Sequence, residues 1–190
     1  PAEAYTIVIP PPNVTAPLHL GHALNNTLQD ILIRYRRMTG RNTLWMPGTD
    51  HAGIATQTVV EKRLIRDEGK RRTDYERGDF VARCQSWKDE YEDRILGQLK
   101  AMGASCDWDR LRFTMDDMCA KAVRSVFFKL FSDSLVYRGL RLVNWDPGTQ
   151  TVLADDELEK EEINTNFRYL RYPLTEAITL EDGEKIEYVV

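Results

Sequence analysis

Hydrophobic and polar positions change their period several times along the chain, and each change marks an element. The short apolar run Tyr5-Thr6-Ile7-Val8-Ile9 reads as a strand, bounded at once by three prolines. Beyond them Leu24, Leu28, Ile31, Leu32 and Tyr35 recur at helical spacing, which predicts a long amphipathic helix stopped by Gly40. Asn42 to Met46 reads as a second strand, parallel to the first because a helix lies between them. A second helix is expected over Ile54 to Glu68, ending near Gly69. From residue 79, Phe80, Cys84, Trp87, Tyr91, Ile95, Leu99 and Met102 mark a long helix ended by Gly103, and that stripe is core rather than a cofactor box. Thr114-Met115-Asp116-Asp117 reads as a helix-start box ahead of Val123, Val126, Phe127, Leu130 and Phe131. Leu140 to Trp145 reads as a strand closing at the turn Asp146-Pro147-Gly148. Phe167–Tyr172 and Lys185–Val190 alternate polar with apolar and are expected to pair, with Asp182-Gly183 in the connection.

The early strand–helix–strand order argues for an α/β fold: the first half of a Rossmann-type doubly wound parallel sheet. The helices over 79–138 then form a long connection before the next strand. Open sheets of this kind place ligands at the carboxyl ends of their strands. Two unusual stretches sit at those ends. One is Pro10-Pro11-Pro12-Asn13-Val14-Thr15-Ala16-Pro17-Leu18-His19-Leu20-Gly21-His22, directly after the first strand. The other is Gly48-Thr49-Asp50-His51-Ala52-Gly53-Ile54-Ala55-Thr56-Gln57, directly after the second.

A helix N-terminus has unpaired N–H groups and the positive end of the macrodipole, so it attracts phosphate. Gly21 lets a nucleotide approach the backbone closely. His19 and His22, three apart, can aim both rings from the first helical turn at one anion and donate to charge developing on a phosphoryl group. The prolines hold their loop rigid and leave carbonyls free to face a small ligand. Each piece alone has a plainer account. A His-x-x-His pair can be capping chemistry, Asp50-His51 can be an N-cap, and three prolines can be a stiff linker. Their occurrence together, in order, at successive strand ends is what points to a ligand site.

His19-Leu20-Gly21-His22 is similar to the His-Ile-Gly-His element of class I aminoacyl-tRNA synthetases. The three prolines with Asn13-Val14-Thr15, together with Gly48-Thr49-Asp50-His51-Ala52-Gly53, resemble the valyl-tRNA synthetase family in particular, and the resemblance covers nearly the whole chain. It implies an ATP-dependent, AMP-forming ligase that activates valine to valyl-adenylate and transfers it to tRNA(Val). ATP, with its Mg2+, is then a substrate. Catalysis would rest on His19 and His22, and ATP binding on His19, Gly21 and His22. Asp50 and the carbonyl of Pro11 would take the α-ammonium of valine, while Pro10, Pro12 and Asn13 shape the side-chain pocket. His51 and Gln57 are placed near the site without a role. Residues 1–155 would be the N-terminal part of the catalytic domain, and 156–190 a β stem leading into an inserted editing domain. The chain begins at Pro1 without methionine, stops inside an apolar strand pattern and lacks a Lys-Met-Ser-Lys-Ser loop. By the same resemblance it is the N-terminal fragment of a larger enzyme, and the fragment alone is expected to be inactive.

Composition narrows the class further. A hydrophobic fraction of 42% and a charged fraction of 29% suit an ordinary globular protein, and no run reaches membrane-spanning length. Three cysteines (Cys84, Cys106, Cys119) without a C-x-x-C pair argue against a disulfide framework, so the cytoplasm is the simplest compartment. Residues 1–72 carry ten Lys or Arg against six Asp or Glu, within a chain of net charge −4. The clusters Arg34, Arg36, Arg37, Arg41 and Lys62, Arg63, Arg66, Lys70, Arg71, Arg72 could meet RNA phosphates, although a solvated helix face explains either one first. Trp45 and Trp145 read as packing residues.

The chain departs from the family pattern in two places. Ala16, followed by Pro17, stands where Gly usually follows Asn-Val-Thr. Asp146 and Thr149 occupy positions that are cysteines in members with a zinc knuckle, so no zinc is expected there. Three other readings remain at this stage. An isoleucyl- or leucyl-type synthetase shares His-x-Gly-His but not the Gly48–Gly53 sequence. A metal-dependent hydrolase would use His19, His22, Asp50 and His51, although zinc pairs on a helix are usually i, i+4. A non-catalytic synthetase-like binding module is the third.

Overall fold

β1 (Ala4–Val8) and β2 (Asn42–Met46) lie side by side and parallel, from Ala4 opposite Asn42 to Val8 opposite Met46. Between them α1 (Leu20–Met38) carries the chain back to its starting end, which is why the pair runs parallel. The structure is a computed structural model that describes residues 2–189. Pro1 and Val190, included in the expected domain limits and last strand, lie outside the described residues. The chain divides into two units, Pro1–Tyr137 and Arg138–Val190.

α1 is seated on the opposite side from the one its apolar stripe suggests. Leu24, Leu28, Ile31, Leu32 and Tyr35 are exposed, and the helix buries Asn26, Gln29 and Ile33. Gln29 is tolerated there because its Oε1 accepts from the Trp45 indole N–H at 3.0 Å and its amide donates to Asn25 at 2.7 Å. Periodicity identifies an amphipathic helix, but a sheet can still take the other face once its polar groups are paired.

α2 (Ile54–Glu68) and α3 (Arg77–Ala101) follow, and Gly69 and Gly103 leave them in the left-handed conformation. As the spacing predicts, α3 buries Trp87, Ile95 and Leu99, although Met102 is exposed. Ile95 and Leu99 join Ile9, Val14, Ile33 and Trp45 in the main core, and Trp87 packs with Val60 and Leu64 of α2.

Pro47 breaks the second strand, after which β3 (Gly48–Thr49) pairs in parallel with β4 (Arg112–Phe113), a strand too short for a periodic signal. A Cβ at Gly48 would lie 3.0 Å from the Arg112 carbonyl oxygen, so this close approach of two backbones favours glycine. α4 (Asp117–Ser132) is capped by Asp116, whose carboxylate accepts from the Cys119 N–H at 2.7 Å; Thr114 is not the cap. None of its residues is buried, and Val123, Val126, Phe127 and Phe131 face outward.

In the second unit the expected strand over 140–145 shrinks to β5 (Asn144–Asp146), which pairs with an unforeseen β6 (Thr151–Leu153). Leu140, Leu142 and Trp145 are exposed, so Trp145 does not pack as read from the sequence. Asp146 and Thr149 close the turn: the Asp146 carboxylate accepts from the Gly148 and Thr149 amides at 3.0 Å and from the Thr149 hydroxyl at 2.5 Å. The last hairpin pairs β7 (Tyr172–Thr179) with β8 (Lys185–Val189), so the first of its strands lies later than Phe167–Tyr172. The turn around Gly183 is tight, with the Leu180 N–H on the Glu184 carbonyl, and it selects the segment just before it as the partner. The described residues therefore form a mixed α/β structure of four two-stranded sheets, two parallel and two antiparallel, rather than one continuous sheet. No helix among the described residues is long and apolar enough to cross a membrane.

Several of the basic residues serve the fold. Arg41 pairs with Glu3, Arg63 lies over the Trp87 ring, and Arg34 spans Asp30 and the Gly103 carbonyl, each at 2.7 Å. Asp30 is the hub joining α1 to the end of α3, because it also accepts from the Ser105 amide at 3.1 Å and its hydroxyl at 2.5 Å. Burial works to raise the Asp30 pKa, but the bonds from Ser105 and Arg34 outweigh it and hold the carboxyl below its ordinary range. Burial, and then the Asp30 charge, push the Cys106 thiol up to about 12.

Asp30→Asn is therefore expected to lower stability by about 1–3 kcal/mol at neutral pH. A carboxylate with a depressed folded pKa contributes fully above its unfolded value of about 3.9 and loses that contribution as pH falls through the folded one. Urea unfolding should thus show the gap between wild type and variant closing on acidification. A gap that is constant down to pH 2 would assign the effect to packing alone.

Candidate functional site

α1 begins on a pair of imidazoles. His19 is the N-cap, its Nδ1 accepting from the Gly21 N–H at 3.0 Å, and the His22 Nδ1 accepts from the His19 N–H at 3.3 Å. The ring centroids are 3.9 Å apart. These bonds use one nitrogen of each ring and leave both Nε2 atoms without a partner among the described residues. The capping account of the pair is thus correct as far as it goes, and it also orients both rings. Gly21 has a local reason to be glycine, since a Cβ there would lie 2.9 Å from the His19 ring.

The two motifs are joined through their backbones. The Asp50 N–H donates to the Pro12 carbonyl at 2.8 Å, the Val14 N–H donates to the Asp50 carbonyl at 3.0 Å, and Asn13 bridges Asp50 in the parallel sense. Pro12 and Val14 are buried; Pro10, Pro11 and the Asn13 side chain are exposed. From the other side α3 holds the same loop. Trp87 Nε1 donates to the Val14 carbonyl at 2.9 Å, and Gln98 accepts from the Leu18 N–H at 2.9 Å.

Asp50 and His51 are half-buried, 3.3 Å apart at Oδ1 and Nδ1. Both meet Thr114, whose sequence context fits a helix cap. The Thr114 hydroxyl donates to Asp50 Oδ1 at 2.7 Å and lies 2.9 Å from the His51 amide nitrogen and 2.6 Å from its Nδ1. Asp50 Oδ2 has no partner among the described residues. Ala52, which follows, takes a positive φ of 52° to turn the chain into α2. Deeper support comes from Glu92, which accepts from the Thr49 hydroxyl at 2.6 Å and pairs with Lys88 at 2.6 Å. Thr114 and Glu92 carried no sequence signal as site residues, because the interactions that recruit them span 43 positions or more, and Lys88 enters only through Glu92, four residues further on.

His51 and Gln57 also line a cavity of about 720 Å³ with Val14, Phe80, Lys88 and Phe113; His19, His22 and Asp50 do not. Among the described residues, no group of three His, Cys, Asp or Glu side chains is arranged to hold a metal ion.

Residues 1–182 match the family described as tRNA synthetases class I (I, L, M and V). The chain is 63% identical over 170 residues to the valine–tRNA ligase of Protochlamydia amoebophila, covering 90% of this chain and 18% of that protein. It is 61% identical over 170 residues to the valine–tRNA ligase of Rhodopirellula baltica, covering 90% and 16%. The chain thus spans less than a fifth of the length of these curated relatives. Among solved structures, the LeuRS of Agrobacterium radiobacter K84 in its ternary complex with tRNA and LeuAMS superposes with a TM-score of 0.64 at 23% identity. That match covers 82% of this chain and 18% of the other and establishes the fold.

Partial burial, and then the adjacent His19 ring, hold His22 below its ordinary value of 6.5. An imidazole lowered in this way contributes stability above its unfolded pKa and loses it as pH falls through the folded value. His19→Ala is expected to raise the His22 pKa, which NMR titration of the His22 Cε1 proton would follow. An unmoved midpoint would mean that the two rings do not interact electrostatically.

Proposed function

The chain belongs to the class I tRNA synthetases, and we propose that its site activates valine with ATP to valyl-adenylate for transfer to tRNA(Val). The observation that carries this reading is the backbone pairing of Pro12 to Val14 with Asp50, which joins the two motifs into one site. The amino-acid specificity is supported by relatives that are valine–tRNA ligases at 61–63% identity.

In the proposed reaction a valine carboxylate oxygen attacks the α-phosphorus of ATP, forming the mixed anhydride and breaking the bond to pyrophosphate. Mg2+ accompanies the nucleotide and screens its phosphates. The free Nε2 atoms of His19 and His22, beside the positive end of α1, stabilise charge as it builds on the α-phosphate. Gly21 keeps the backbone there open to ATP. Asp50 takes the α-ammonium of valine in a charge-assisted bond through Oδ2, and the Pro11 carbonyl, which no backbone N–H occupies among the described residues, accepts from the same group. Pro10, Pro12 and Asn13 frame the side-chain pocket; buried Pro12 does so by fixing the loop. A tRNA hydroxyl then attacks the acyl carbon and AMP departs. Within such an enzyme, residues 1–155 form the first part of the catalytic domain, whose remainder covers the exposed apolar faces of α1 and α4, and 156–190 lead toward an editing domain. The cytoplasm, where tRNA is charged, is the site of action.

Two measurements on the intact enzyme test the assignment. His19→Ala and His22→Ala should each slow single-turnover valyl-adenylate formation by ~100- to 1,000-fold, with little change in valine affinity because the donors act on the transition state. Unchanged rates in both would remove their catalytic role. Asp50→Asn keeps the shape and loses the charge, so valine should bind roughly ten- to thirty-fold more weakly while an ATP analogue binds as before. Loss of the analogue instead of valine would move Asp50 to the nucleotide side, and pyrophosphate exchange driven by isoleucine or leucine in preference to valine would overturn the specificity.

A further inference from the structure

We infer that Thr114 is a positioning residue for the amino-acid end of this site, its single hydroxyl aiming the Asp50 carboxylate and setting the tautomer of His51. The inference rests on the reading of Asp50 as the partner of the α-ammonium. Three polar atoms converge on Thr114 Oγ1: Asp50 Oδ1 at 2.7 Å, the His51 amide nitrogen at 2.9 Å and His51 Nδ1 at 2.6 Å. A hydroxyl has one proton and two lone pairs, and an ionised carboxylate can only accept. The proton therefore goes to Asp50, and both lone pairs receive protons from His51, one from its amide and one from Nδ1. His51 is then the Nδ1–H tautomer when neutral, with its Nε2 lone pair left unused.

The same bond makes the two oxygens of Asp50 unequal. Oδ1 is anchored, and Oδ2 has no partner among the described residues and is available to an ammonium. Thr114 is itself well held. Its N–H donates to the Thr49 carbonyl at 3.1 Å, directly beyond the β3–β4 pair, and its β-branched side chain has few rotamers to choose from. Asp50 and Thr114 thus extend from neighbouring parallel strands, and the carboxylate is fixed before any ligand arrives. Pre-organisation of this kind acts on affinity for the group being bound, with the chemistry of the phosphoryl transfer left as it was.

Thr114→Val, which replaces the hydroxyl by a methyl of similar size, is expected to raise the KM for valine in ATP–pyrophosphate exchange by about five- to twenty-fold in the intact enzyme. The kcat and the KM for ATP should stay within about twofold, and Thr114→Ser should restore the valine KM. The effect should shrink in an Asp50→Asn background, because the two residues act through one contact. If Thr114→Val does not fold, Thr114→Ala carries the same comparison. A wild-type valine KM in the Thr114 variant, with a raised one in Asp50→Asn, would overturn the inference and leave the role of Asp50 standing. Loss spread equally over kcat and both KM values, or failure of Thr114→Ser to rescue, would reduce Thr114 to a structural residue. If Asp50→Asn also left the valine KM unchanged, the reading of Asp50 would fall, and the inference with it.

Discussion

Two backbone hydrogen bonds, Asp50 N–H to Pro12 and Val14 N–H to the Asp50 carbonyl, are the constraint on which the site depends. They extend the β1–β2 pairing past the point where both strands formally end, across Pro47 on one side and a proline run on the other. Prolines cannot donate, so a loop built from them must be held through its carbonyls and through the residues that regain an N–H. Asn13 regains the N–H but is exposed; Val14, directly after it, donates to Asp50, and its side chain is wholly enclosed in the main core. Packing and pairing thus act at one position, and the exposed Pro10, Pro11 and Asn13 inherit their placement from it.

α3 makes that placement rigid. The helix packs its aromatic stripe against α2 and the core, and it spends two polar side chains, Trp87 and Gln98, on the loop at Val14 and Leu18. A third, Glu92, reaches the hydroxyl of Thr49, the residue before Asp50. One long helix therefore touches both motifs, and a shift of α3 along its axis would disturb the imidazole pair and the carboxylate together. On the far side of Asp50, Thr114 brings the β4 segment into the same arrangement. The imidazole pair and the Asp50 carboxylate are consequently two ends of one braced unit.

The sequence made the elements of the first unit legible where a periodic pattern was long. β1, β2 and the three helices α1 to α3 came from apolar spacing and glycine stops, and the parallel sense of β1 and β2 from the helix between them. It failed where pattern and packing separate. The apolar side of α1 faces outward because Gln29 is satisfied on the other side, and the pairing of Gln29 with Trp45 has no trace in local sequence. β4 and β6 are too short for a two-residue period to show, and the first strand of the last hairpin was set by the tightness of its turn rather than by the alternation of Phe167 to Tyr172.

By itself the sequence determined which residues are chemically equipped and that they lie at the ends of successive strands: His19 and His22 at a helix start, Asp50 and His51 after the second apolar run, and a proline loop before the first helix. Those are local facts, carried by side-chain type and by spacings of a few residues. Only the tertiary structure decided that Pro12–Val14 and Asp50 pair, that Trp87 and Gln98 hold the loop, and that Thr114 binds one oxygen of Asp50 while the other has no partner among the described residues. Such contacts are made between residues far apart in the chain, where burial and hydrogen-bond satisfaction choose the partner. Thr114 shows the division: its sequence context fits a helix cap, and its hydroxyl was taken by a carboxylate 64 positions away.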